Sequence, residues 1–198
     1  MPPAIPDENK ILRLRRDIRH GESVALARAL TESEWERVRA FVRRTSRESL
    51  RLRFGQAADF LDDHTLKRFC HIVNGRGEMI WMPEQGGAIC AIAHLVRLSP
   101  VEAEIALIVR SDCTRRGIGE KLLRATLVHA ARQGLGTLSA LVLYENTGML
   151  RLARKVGFEP RKSCGVAIEL EFDLRQIRDT AMAAFAPEPA DAIEAAIR

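Results

Sequence analysis

Residues 112–123 read DCTRRGIGEKLL, two arginines and two glycines set against the start of a strongly helical run. The first turn of a helix leaves several backbone N–H groups without partners and carries about half a positive charge. Gly117 and Gly119 remove side chains that would keep an anion from those groups. The same glycines also suit a plain strand-to-helix turn with solvated arginines, and the loop alone leaves both readings open. It fits neither of two common phosphate loops: a dinucleotide fingerprint needs a third glycine where Leu122 stands, and no Gly-Lys-Ser/Thr follows for a P-loop. Just upstream, Glu102 and Glu104 stand two apart in VEAEIAL, which puts both carboxylates on one face of a strand. Such a carboxylate can take a proton from a reacting group, or can simply be solvated.

These residues need a frame, and the hydrophobic period supplies one. SVALARAL (Ser23–Leu30) alternates as a strand, and Thr31 with Glu34 forms a capping box before a helix carrying Trp35, Val38, Phe41 and Val42. SRESLRLRF and LDDHTLKRF read as two further helices. From the Asn74-Gly75 turn the pattern becomes β, through EMIWM, AICAIAHLVRL and VEAEIALIV. After the glycine loop comes a long amphipathic helix stopped by Gly134 and Gly136, then the strand TLSALVL. A helix over NTGMLRLARKV, capped by Asn146 and ended by Gly157, leads to a last strand, VAIELEF. The order predicts an α/β (α+β) fold: a central mixed, mostly antiparallel sheet of six to seven strands with helices on both faces. Residues 1–22 read as a tail or arm, 23–175 as the domain, and 176–198 as a C-terminal tail.

At 198 residues and 46% hydrophobic content the chain suits one domain with a substantial core. The longest apolar runs, such as Gly86–Val96, are too short to span a bilayer, so no membrane partner is expected. The cysteines Cys70, Cys90, Cys113 and Cys164 have no paired spacing, which argues for reduced thiols in a cytoplasm and against a zinc site or any other metal. A net charge of +5, carried by 26 arginines and only 5 lysines, suits an anionic ligand, an acidic partner or a soluble arginine-rich surface; nucleic acid is not the favoured partner.

AEIALIVRSDCTRRGIGEKLL followed by LYENTGMLRLARKVGFEP resembles the GNAT superfamily of acetyl-CoA-dependent N-acetyltransferases. The family loop, Gln/Arg-x-x-Gly-x-Gly/Ala, falls on Thr114, Arg115, Arg116, Gly117, Ile118 and Gly119, with Thr114 departing from the pattern. The second family segment matches Asn146, Met149, Lys155, Gly157 and Phe158. A narrower resemblance, on Ser46, Ser49, Arg53 and Phe54 and on AEIAL, is to the acetyltransferase domain of bacterial Pat-like protein lysine acetyltransferases. The resemblance implies a GNAT fold, acetyl-CoA as co-substrate, and cofactor contacts from Ile108, Val109, Arg110, Thr114, Arg115, Arg116, Gly117, Ile118, Gly119, Glu120, Asn146 and Met149. It also implies Glu104 as general base, with Glu102 as relay or substitute, and a backbone N–H near Val109 as oxyanion donor where the family's strand splays.

The implied reaction needs an unprotonated amine, and only about one lysine in a thousand is neutral at physiological pH. Protein lysine is the leading acceptor and a small-molecule amine the next; a non-catalytic module binding nucleic acid or sensing acetyl-CoA is the reading from another class. The chain is expected to be a monomer or homodimer. The family's general-acid tyrosine position holds Ala153, so the thiolate leaves unaided or Tyr144 serves. His71 and His94 lack partner spacing and read as packed or exposed residues. Cys113 beside the loop could carry an acetyl group, although direct transfer is preferred. Trp35 and Trp81 read as core or groove walls.

Overall fold

Apolar residues fill the strand β3 (Ile89–Arg97) almost without a break, and its first seven residues are all buried. A strand covered on both faces belongs at the centre of a sheet. It pairs antiparallel with β2 (Gly77–Pro83) on one side and β4 (Glu102–Val109) on the other. Beyond β2 lies β1 (Ala25–Ala27); beyond β4 lies β5 (Thr137–Leu143), then β7 (Ala167–Asp173), with β6 (Glu159–Cys164) at the far edge. Among the described residues the sheet thus has seven strands in the order β1-β2-β3-β4-β5-β7-β6, and β4 with β5 is its single parallel pair. This computed structural model describes residues 25–27, 32–54, 77–83 and 88–178.

The expected fold class holds, and β6 is the strand that periodicity passed over. Every one of its residues is exposed. A charged, proline-bearing edge has no buried face to leave an alternating pattern, so its sequence EPRKSC carries no strand signal.

A parallel pair cannot be joined by a hairpin, and the crossover from β4 to β5 is the helix α3 (Ile118–Arg132). The helices α1 (Glu32–Arg43) and α2 (Arg47–Phe54) precede it, and α4 (Thr147–Val156) follows β5. Buried Val38, Phe41 and Val42 fix α1, with Trp35 half-buried beside them. Leu122, Leu123, Thr126, Leu127 and Ala130 form the buried stripe of α3. Along β4 the side chains of Leu107 and Val109 lie under α3, against Gly119. Alternation then turns Glu102 and Glu104 to the opposite face, where α2 lies.

Both expected ends of α4 are seen. The Asn146 side chain accepts the Met149 N–H at 3.1 Å, and Gly157 closes the helix at φ +117°. Phe158 then packs on Phe172 with ring centroids 5.4 Å apart. The core reaches past residue 175, since Leu174 and Ile177 are buried in it. The expected Thr31 cap, the LDDHTLKRF helix, the Asn74-Gly75 turn, Cys70, His71, the N-terminal tail and the C-terminal tail beyond residue 178 lie outside the described residues, as does the Trp81 side chain. Among the described residues no helix is long and apolar enough to cross a membrane.

Gly157 joins two constraints: its φ lies in the left-handed region, and a Cβ there would stand 3.3 Å from the Phe172 ring. Gly157→Ala should cost about 1–3 kcal/mol. Urea unfolding should show the midpoint falling with the slope unchanged.

Candidate functional site

The ladder between β4 and β5 covers only three residue pairs, Glu102 with Thr137, Ala103 with Leu138 and Glu104 with Ser139. Both strands run on, to Val109 and Leu143, but they part. Near the end of β4 the Arg110 N–H donates to the Cys90 carbonyl at 2.9 Å. By the alternation of an antiparallel ladder, the N–H groups of Ile108 and Ala106 also turn toward β3. That of Ile105 belongs to the last rung of the β5 ladder, opposite Ser139, and those of Leu107 and Val109 turn toward the gap, beyond its reach. Two adjoining hollows of about 190 and 200 Å³ occupy this gap and its mouth. Both are lined by Leu52, Arg53, Leu107, Asn146 and Met149.

The helix α2 roofs the hollows, and polar ties hold it at each side. The Ser46 hydroxyl caps it by accepting the Ser49 N–H at 3.2 Å, while the Ser46 N–H donates to Ser111 Oγ at 2.8 Å. Arg44 pairs with Asp112 at 2.7 Å. Across the gap, Arg51 donates to Glu145 at 2.5 Å, next to Asn146. The Arg110 hydrogen bond is the main reason that the Asp112 carboxyl is held down at about 2, below its ordinary 3.8. The tie it makes is therefore fully present above that ordinary value and is lost as pH falls through about 2.

At the mouth, α3 begins at Gly117 with φ +77° and no side-chain cap. The two glycines of the loop serve different needs. Gly117 supplies a left-handed conformation in open space, whereas a Cβ on Gly119 would press within 3.3 Å of Val109 and 3.4 Å of Leu152. The sequence reading gave both glycines the task of admitting an anion; Gly119 also lets α3 sit close on β4. Arg115, itself left-handed at φ +59°, and Arg116 are exposed beside the uncapped end. Thr114 lines the outer hollow, and its hydroxyl donates to the Ser111 carbonyl at 3.0 Å. An uncapped N-terminus flanked by arginines favours an anion.

Glu104 stands at the root of the gap, half-buried, and lines the inner hollow; Glu102 is exposed and does not line it. The structure thus separates two carboxylates that spacing alone leaves equivalent. Opposite Glu104 is Arg53, whose guanidinium stacks 4.6 Å from the Phe54 ring centroid. One Arg53 amino group lies 3.4 Å from His94 Nδ1, and His94 is wholly buried on β3. Burial pulls Arg53 down to about 10 against the opposing field of Glu104. Burial, and then the Arg53 charge, hold His94 well below the ordinary histidine range, so its imidazole is neutral.

The other expected residues divide between groove and scaffold. Ile108, Val109, Asn146 and Met149 line the hollows, and Ile118 packs against the core. Arg110, expected at the cofactor, is only 2% exposed; its guanidinium donates to the Ile89 carbonyl at 2.8 Å and to Asp112 at 2.5 Å. Glu120 joins α3 to α4, accepting from Arg124 at 2.9 Å and from Lys155 at 2.5 Å. Burial raises the Glu120 carboxyl, but these two hydrogen bonds outweigh it and hold the group below its ordinary value. Tyr144 is bound to Ser163 Oγ at 2.8 Å and lines neither hollow, while Ala153 is wholly buried in the core. Cys113 is buried and pushed up to about 11, first by burial and then by its bond to Asp112, so it stays a thiol. The sequence marks Arg53 and Ser46 only as part of a family resemblance and assigns them no task, and nothing in it points to Ser111, Asp112 or Glu145. Only the topology brings those three to the edges of α2. Among the described residues no cluster could hold a metal ion.

The model of the acetyltransferase (GNAT) family matches residues 35–158. Among solved structures, the GNAT domain of PAT from S. lividans is 25% identical, with a TM-score of 0.67 over 76% of this chain and 89% of that one. Spermidine N-acetyltransferase from Vibrio cholerae, solved with CoA and spermine, is 13% identical, with a TM-score of 0.64 over 79% of this chain and 98% of that one. The N-acetyltransferase PseH of Campylobacter jejuni, solved with acetyl coenzyme A, is 15% identical, with a TM-score of 0.56 over 76% and 99%.

If the uncapped end of α3 receives phosphate, charge at Gly117 should matter more than bulk. Asn and Asp have nearly the same shape and both tolerate a left-handed backbone. Gly117→Asp should therefore weaken coenzyme A binding at least about tenfold relative to Gly117→Asn, a difference of about 1.4 kcal/mol by calorimetry.

Proposed function

The chain belongs to the acetyltransferase (GNAT) family, and from that premise we propose that this acyltransferase moves acetyl from acetyl-CoA to a primary amine, a protein lysine in first place, by direct attack assisted by Glu104. The observation that carries the reading is a gap between β4 and β5 with a carboxylate at its root and an uncapped helix end at its mouth. A long, flexible thioester with a pyrophosphate partway along it fits those two ends. Acetyl-CoA supplies an activated acyl carbonyl when bound.

The chain's own residues do the rest. The N–H groups of Gly117, Ile118 and Gly119 and the exposed Arg115 and Arg116 would hold the phosphates. The backbone of Leu107 and Val109, turned into the gap, would grip the pantetheine and steady the developing oxyanion. Leu52, Leu107 and Met149 give the inner hollow apolar walls. Glu104 takes one proton of the acceptor's ammonium and passes it to solvent, the neutral nitrogen attacks the carbonyl, the C–N bond forms, and the C–S bond breaks as the thiolate leaves. The second nitrogen proton then passes to the thiolate, whose low basicity accords with Ala153 at the family's usual acid position.

The likeness to the GNAT domain of PAT supports a protein lysine as acceptor. We place the enzyme in the cytoplasm, the compartment that keeps widely spaced thiols reduced. Release of free thiol from acetyl-CoA on addition of a lysine-bearing protein tests the activity. Turnover only on small amines would move the acceptor class, and salt-sensitive nucleic-acid retention without turnover would replace the reading altogether.

Glu104→Gln keeps shape but accepts no proton, so kcat should fall by about two orders of magnitude with acetyl-CoA affinity nearly unchanged. Glu102→Gln should change kcat less than about threefold, because Glu102 is exposed outside the hollow. The reverse ranking in steady-state kinetics would move the base two residues back.

A further inference from the structure

Two opposite charges share the inner hollow without being a contact ion pair. Among its described lining residues, Arg53 and Glu104 are the titratable ones; the rest, including Phe54, Leu107, Leu143, Asn146 and Met149, carry no charge. From β3 below, the group that faces Arg53 is His94, 3.4 Å away and wholly buried. The neighbouring ions on α2 are engaged elsewhere: Arg51 holds Glu48 at 2.8 Å and Glu145 at 2.5 Å. Arg53 Nε is buried and has no hydrogen-bond partner among the described residues.

A guanidinium left in that position is costly unless the charge does something there. Resting on the reading of Glu104 as base, we infer that Arg53 is a positioning residue for acetyl transfer: it is the counter-charge that holds Glu104 ionised in the hollow before the acceptor arrives, and its charge weakens the acceptor ammonium's hold on its proton once the amine is bound. An ammonium entering the hollow meets Glu104 and competes with Arg53 for it. Two cations then share one carboxylate in apolar surroundings, and the arrangement relaxes when the ammonium gives up its proton. The proton moves from nitrogen to a Glu104 oxygen, which leaves a neutral amine beside a neutral carboxyl and the Arg53 charge. Neutral His94 adds no competing charge.

The test is the pH dependence of kcat, which reports the bound state. Arg53→Gln removes the charge, so the acidic limb of the kcat profile should move up by about one pH unit. Arg53→Lys restores the charge and should bring the limb back. A purely structural Arg53 would lower kcat at every pH and leave the limb where it is, and that result would overturn the inference. Circular dichroism checks each fold, and Arg53→Met, which fills the space with apolar atoms, carries the same test if the glutamine variant does not fold. Full activity of Glu104→Gln would sink the base reading and this inference with it. Loss of activity in Glu104→Gln with an unmoved limb in the Arg53 variants would overturn this inference alone.

Discussion

The parallel ladder between β4 and β5 stops after three pairs, and the site is a consequence of that stop. Backbone N–H and C=O groups seek partners, so a strand edge left open inside a sheet is tolerated only where something else can use it. Here the open edge of β4 points into a hollow, and Leu52, Arg53 and Met149 on α2 and α4 line it. The strands are held apart from both ends. At one side, Gly119 lets α3 approach β4 closely; at the other, Arg51 braces α2 against Glu145 beside the start of α4.

Charge is arranged along this groove in a definite order. Positive charge and bare N–H groups gather at the mouth, around Gly117, Arg115 and Arg116. Arg110, Asp112 and Arg44 form a network behind the loop, tying β4, the turn after it and α1 together. Glu104, the one carboxylate among the described residues that line the hollows, stands at the opposite end with Arg53 facing it. The order suits a co-substrate that is anionic along its length and neutral at its reactive end, met by an acceptor that arrives as a cation.

Much of this was legible in residue types. The switch from period two to period 3.6 placed six strands and the long crossover helix, and Asn146 and Gly157 marked both ends of α4. The exposed strand β6 was not legible, because charged edge residues leave no alternation. Glu102 and Glu104 could not be separated by spacing: which of them meets a hollow depends on where β4 and β5 part, and no residue in either strand announces that point. Arg110 looked like a ligand-binding arginine because it adjoins the loop, yet its side chain turns back to Ile89. Arg53 was quoted as part of a motif, and its place opposite Glu104 emerged only when α2 was laid across the gap.

The central claim is that the open edge of β4 is the groove in which acetyl-CoA lies. Backbone amide hydrogen exchange, read residue by residue with and without acetyl-CoA, addresses it directly. The account predicts new protection of the Leu107 and Val109 amides together with those of Gly117 to Glu120, while the already paired amides of Ile105, Ile108 and Arg110 change little. Protection confined to another face of the sheet, with the β4 edge exchanging as before, would contradict it.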